Sequence, residues 1–93
     1  MTDEQLKQLS DEVELASLGK QVVNNKAYIN ALTLRKAQIF EVFCRTKQDQ
    51  SDVREEAWRT MKNLTALEDY FNNILTTGKM AAITLESLTE TKE

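Results

Sequence analysis

Residues 52–88 read DVREEAWRTMKNLTALEDYFNNILTTGKMAAITLESL, and their apolar side chains recur at three- and four-residue steps. Ala57, Met61, Leu64, Leu67, Phe71, Ile74 and Leu75 come first, then Met80, Ala81, Leu85 and Leu88. Such spacing returns to one side of a helix at every turn, so it predicts a long amphipathic helix. Trp58 and Tyr70 widen its apolar face. The chain has no proline and only two glycines, which leaves little to interrupt a helix. Asn72-Asn73 and Thr76-Thr77-Gly78 are weak helix formers. They weaken the helix locally and leave two readings open: Gly78 as a C-cap followed by a short third helix, or a helix that continues through it to residue 88.

The preceding half reads as partner helices for that face. Thr2 and Gln5 have the form of a capping box, so a helix can begin at the start of the sequence. Leu6 and Leu9 follow at helical spacing, and Ser10-Asp11-Glu12 offers a second N-cap with acids where the helix dipole favours them. From Leu15 onward, Leu18, Val22, Ile29, Leu32, Ile39 and Phe43 continue one stripe. Asn25 and Lys36 fall on that stripe, where a polar residue fixes register at some cost in stability. Gly19 costs about 1 kcal/mol relative to alanine, so either a neighbouring helix passes close there or the acidic arm bends away. Residues 46–51, TKQDQS, are the clear break, after which Asp52 is placed as N-cap with Glu55 in the reciprocal position.

These readings predict one all-α domain over residues 1–93: an acidic helical arm at 1–18, helix one at 19–46 and helix two at 52–88, the two long helices forming an antiparallel hairpin. Two helices bury one stripe each. Val23, Leu34, Phe40 and Val42 lie off the main stripe and need a third surface. The arm covers some of them, and a second copy of the chain, giving a four-helix or larger bundle, covers them more economically.

Most catalytic chemistry is removed by composition. There is no histidine, the commonest general base and the usual partner of a Ser or Cys nucleophile. Cys44 is the single cysteine, so neither an internal disulfide nor a Cys-and-His metal site can form. Carboxylates pair at Asp3-Glu4, Asp11-Glu12, Glu55-Glu56 and Glu68-Asp69, but a helical di-metal site calls for Glu-x-x-His motifs. The 46–52 loop lacks the glycine and closing acid of an EF-hand, and Gly78-Lys79-Met80 fails the phosphate-loop pattern. No enzyme, cofactor or metal is expected. The acidic, polar N-terminus is no signal or transit peptide, and no apolar run approaches a membrane span, so a soluble protein of a reducing compartment is expected.

Two surfaces remain as candidates for function. Trp58, Met61, Tyr70, Phe71 and Met80 form an aromatic and methionine group flanked by Arg54 and Arg59. Such residues are usually core, and they are also the types enriched at protein interfaces. Gly78 to Ala81 offers a close helix contact. The formal net charge of −3 is unevenly spread: residues 19–47 carry six Lys or Arg against one acid, while both flanks are acidic. Lys20, Lys26, Arg35, Lys36, Arg45 and Lys47 are thus the candidates for contact with nucleic acid, or simply answer the acidic flanks across helix contacts.

A threonine closing the first helix, a short acidic linker, Arg-Glu, a tryptophan, Lys-x-Leu and a late Gly-Lys-x-Ala occur here as Thr46, Arg54-Glu55, Trp58, Lys62 and Leu64, then Gly78, Lys79 and Ala81. With Gly19 and Asn24-Asn25 upstream, this pattern resembles a group of small helical proteins encoded in tailed-bacteriophage genomes. The resemblance implies a viral origin and a helical hairpin, and no activity. The resulting expectation is a non-enzymatic phage protein of the host cytoplasm or virion. It would act by self-association or by docking to a larger phage protein, as a virion component or assembly factor. The alternative is a small regulatory or nucleic-acid-associated factor using the basic segment.

Overall fold

A computed structural model describes residues 1–90. It contains three α-helices: α1 (Asp3–Val23), α2 (Lys26–Arg45) and α3 (Ser51–Glu90), with no strand among the described residues. Each boundary has a local chemical cause. The Thr2 N–H donates to Gln5 Oε1 at 2.9 Å, and the Gln5 N–H donates to Thr2 Oγ1 at 3.2 Å. This reciprocal pair satisfies two amide groups that the first turn of α1 leaves without helical partners.

α1 runs through Gly19 and stops at Val23. The expected start of a long helix at residue 19 is therefore not seen; the interruption lies at Asn24-Asn25. Asn25 is extended, with φ −72° and ψ 124°, and its side-chain oxygen accepts from the N–H groups of Ala27 and Tyr28. An asparagine that periodicity places on an apolar stripe is an N-cap instead, because its short side chain competes with the helical backbone for those donors.

Thr46 closes α2 with three contacts. Its N–H reaches the Val42 carbonyl at 3.1 Å, and its hydroxyl donates to the Val42 and Phe43 carbonyls at 3.0 and 2.8 Å. The connection to α3 folds on itself: the Gln50 N–H donates to the Lys47 carbonyl, and the Lys47 N–H donates to Gln50 Oε1, both at 3.0 Å. Arg54 N–H donates to the Gln50 carbonyl, so α3 begins at Ser51, and Asp52 sits within its first turn rather than at its cap. There its charge still meets the positive end of the helix dipole.

α3 spans 40 residues without interruption. Its threonines Thr60, Thr65, Thr76, Thr84 and Thr89 each donate a hydroxyl to the carbonyl four residues earlier. The hydroxyls that oppose helix elsewhere are thereby absorbed into the helix. Gly78 neither caps nor breaks it; no glycine adopts a positive φ.

The contacts divide the chain into two units: Met1–Val23 with Tyr70–Glu93, and Asn24–Asp69. In the first, α1 lies on the C-terminal half of α3, with Gly19, Gly78 and Ala81 buried and Leu9, Ala16, Val23, Phe71 and Ile74 half-buried. The approach is close because side chains are missing. A Cβ on Gly78 would overlap Ala16 Cβ and lie 3.0 Å from the Glu12 carbonyl oxygen. One on Gly19 would lie 2.5 Å from Ile74 Cδ1. In the second unit, α2 lies on the first half of α3. Ile39 and Ala57 are buried there, and Lys36 Nζ meets Glu68 Oε1 at 2.7 Å. Lys36, polar on an apolar stripe, thus has a carboxylate on the facing helix.

The inward face of α1 differs from the predicted one. Leu15, Leu18 and Val22 are exposed, and the helix instead turns Leu9, Ala16, Gly19 and Val23 toward α3. Both sets have helical spacing. The second contains the small residues that let the backbones approach, and dispersion falls off steeply with separation.

Candidate interaction surfaces

Among the described residues, three apolar side chains are buried: Ile39 and Ala57 in one unit and Ala81 in the other. The exposed apolar residues are larger, among them Leu34, Phe40, Trp58, Tyr70 and Met80.

The predicted aromatic and methionine group is divided between the units. Arg54, Trp58 and Met61 belong to the second; Tyr70, Phe71, Gly78 and Met80 belong to the first. Trp58 is 55% exposed, and Lys62 Nζ lies 4.5 Å from its ring centroid, over the negative face of the indole. Phe43, Arg54, Glu55 and Trp58 line a shallow groove beside the α2–α3 connection. Met61 is half-buried. In the first unit, the Tyr70 and Phe71 rings meet edge to face at 5.4 Å, with Tyr70 and Met80 turned outward. Gly78 faces α1 of its own chain, where Ala16 occupies the space next to it.

A second groove of about 640 Å³ lies between α2 and α3, with Ile39, Val42, Val53 and Ala57 as its apolar lining and Arg35, Asp52 and Glu56 as charged ones. The signal for it was present in the sequence as Val42 off the main stripe. Its far wall depends on Ala57 and Thr60, whose small side chains leave the space open.

The basic candidates are also separated. Lys20 lies in the first unit, whereas Lys26, Arg35, Lys36, Arg45 and Lys47 lie in the second. Lys36 is engaged by Glu68 and Arg45 by Glu41. Arg59, beside Trp58, reaches both Glu55 and Glu56 at 3.4 Å. Two of the six candidate phosphate contacts therefore already face carboxylates.

Cys44 is an exposed free thiol. Among the described residues, no group of three or more Cys, Asp or Glu side chains is placed to hold a metal ion. No helix among them is long and apolar enough to cross a membrane. No family model, curated protein or solved structure matches the chain. What the geometry offers is an all-helical scaffold with two exposed apolar grooves and large side chains turned to solvent.

Proposed function

We propose that this chain is a non-enzymatic helical protein that works through protein–protein contacts and associates with copies of itself. The observation that carries this reading is the set of large apolar side chains left exposed within each unit, among them Leu34, Phe40 and Trp58 in one and Tyr70 and Met80 in the other. Large apolar patches on a folded protein mark surfaces that another protein covers. In each unit the helices pair antiparallel. As α1 positions rise from Ala16 to Gly19, their neighbours on α3 fall from Gly78 to Ile74, and Lys36 meets Glu68 while Phe43 shares a groove with Trp58. Such pairs present grooves that further helices fill.

Trp58, Arg54, Tyr70 and Met80 are the anchors of this reading, Trp58 foremost because a half-exposed indole is costly to leave in water and gains most from being covered. The resemblance to small tailed-phage proteins fits a virion component or assembly factor. Light scattering of the full chain across a wide concentration range tests the proposal. A dimer or larger oligomer is expected, and its mass should fall toward the monomer on dilution. A monomer at every concentration would refute self-association.

A further inference from the structure

Resting on that self-association reading, we infer that a second copy docks on the flank of the α2–α3 pair formed by Phe40, Phe43 and Trp58. The two copies are related by a two-fold axis along the helices, which sets α2 of each over α3 of the other. Phe40 is the most exposed large apolar side chain among the described residues, at 67%, and Trp58 stands at 55%. Phe43 and Trp58 line one groove, and Phe40 precedes Phe43 by three residues, so all three share one side of the pair. The other groove of the same unit carries smaller and less exposed residues, Val42 at 38% and Val53 at 44%. An exposed aromatic ring gains more from cover than a valine does.

Charge identifies the occupant as a second copy. α2 holds Lys26, Arg35, Lys36 and Arg45 against Glu41, a net charge of +3. Residues 51–69 of α3 hold Asp52, Glu55, Glu56, Glu68 and Asp69 against Arg54, Arg59 and Lys62, a net charge of −2. Contacts within one helix, Arg45 with Glu41 and Arg59 with Glu55 and Glu56, leave both signs unchanged. A pair made of one basic and one acidic helix is complementary to itself, provided α2 lies over α3 of the other copy. Setting α2 over α2 would bring like charges together. Lys36 with Glu68 shows the same attraction within one chain.

The same axis matches the aromatic rings. Rotation about an axis along the helices keeps each residue at its own height, and Phe43 is level with Trp58 in their shared groove. Phe40 and Phe43 of one copy therefore meet the partner's Trp58, and the contact occurs twice, as an isologous interface requires. Four helices then enclose rings that two helices leave in water.

The test uses the full-length chain in sedimentation equilibrium. Phe40→Glu and Trp58→Lys are each expected to raise the dimer dissociation constant about tenfold, with far-UV circular dichroism unchanged. Combined in one chain they should recover most of that loss, because each new carboxylate faces a new ammonium of the other copy. If the unaltered chain is a monomer throughout, self-association falls and this inference falls with it. If it dimerises and both single variants leave the dimer intact, the contact is elsewhere and only this inference falls. If the single variants weaken the dimer and the double variant recovers nothing, the setting of α2 over α3 is overturned. Should a charged variant fail to fold, Phe40→Ala and the salt dependence of the unaltered dimer decide, and a weaker dimer is expected in both. An unchanged constant for Phe40→Ala would overturn the flank, and indifference to salt would overturn the pairing of basic with acidic helices.

Discussion

Adding one methyl group at Gly78 should destabilise the chain, against the trend for a glycine inside a helix. Helix propensity alone favours Gly78→Ala by about 1 kcal/mol. The new Cβ, however, would overlap Ala16 Cβ and stand 3.0 Å from the Glu12 carbonyl oxygen. Neither obstacle is a side-chain end that can swing aside, so α1 and α3 must separate. Overpacking of this kind costs about 1–3 kcal/mol, and a clash with fixed atoms belongs at the upper end. A net loss of about 2 kcal/mol follows, equivalent to a fall of roughly 10 °C in Tm for a chain of this size. The assay is thermal unfolding by circular dichroism at one fixed protein concentration. Gly19→Ala is the internal control, because its Cβ would meet no backbone atom, only the Ile74 side chain at Cδ1 and Cγ1, which can rotate, and Phe71 Cδ1 at an ordinary 3.7 Å. Propensity and rotamer cost then nearly cancel, and Tm should change little. Ala16→Gly should recover part of the loss in the Gly78→Ala background while destabilising the unaltered chain, a coupling that a double-mutant cycle reads directly. A Tm for Gly78→Ala equal to or above that of the unaltered chain would refute the close helix approach.

Other substitutions test the remaining links. Asn25→Ala should cost about 1 kcal/mol in thermal unfolding, since it removes the oxygen that accepts from Ala27 and Tyr28, whereas Asn25→Asp should retain or improve stability. A cycle of Lys36→Ala and Glu68→Ala should give a coupling of less than about 1 kcal/mol that shrinks in high salt, because the pair is partly exposed. Trp58→Ala should leave helicity intact and weaken self-association in sedimentation experiments; an unchanged mass distribution would remove Trp58 from the contact. With Lys36 and Arg45 already facing carboxylates, mobility-shift assays at low salt should show no salt-sensitive binding of DNA or RNA, and a steep salt dependence would reinstate the nucleic-acid reading.

Much of the helical character was legible in the residues. The three-and-four spacing, the absent proline and the Thr2–Gln5 capping box are local properties, and local hydrogen bonding is enough to realise them. The break after Thr46 was legible for the same reason. Asn25 was not, because one residue can satisfy an apolar periodicity and a capping role alike, and spacing cannot tell which hydrogen bonds its side chain will make. Gly78 left two readings open. A glycine after weak helix formers reads as a C-cap, yet α3 continues through it. What decides is the helix lying against it, absent from any local window. The same cause governs α1, where two stripes of equal spacing compete for the interior. Leu15, Leu18 and Val22 carry more apolar surface, but Ala16 and Gly19 win the contact with α3 because small side chains let two backbones approach and gather more dispersion across the gap. Periodicity determined that these segments are helices; steric fit between them decided which face each one hides and which it leaves in water.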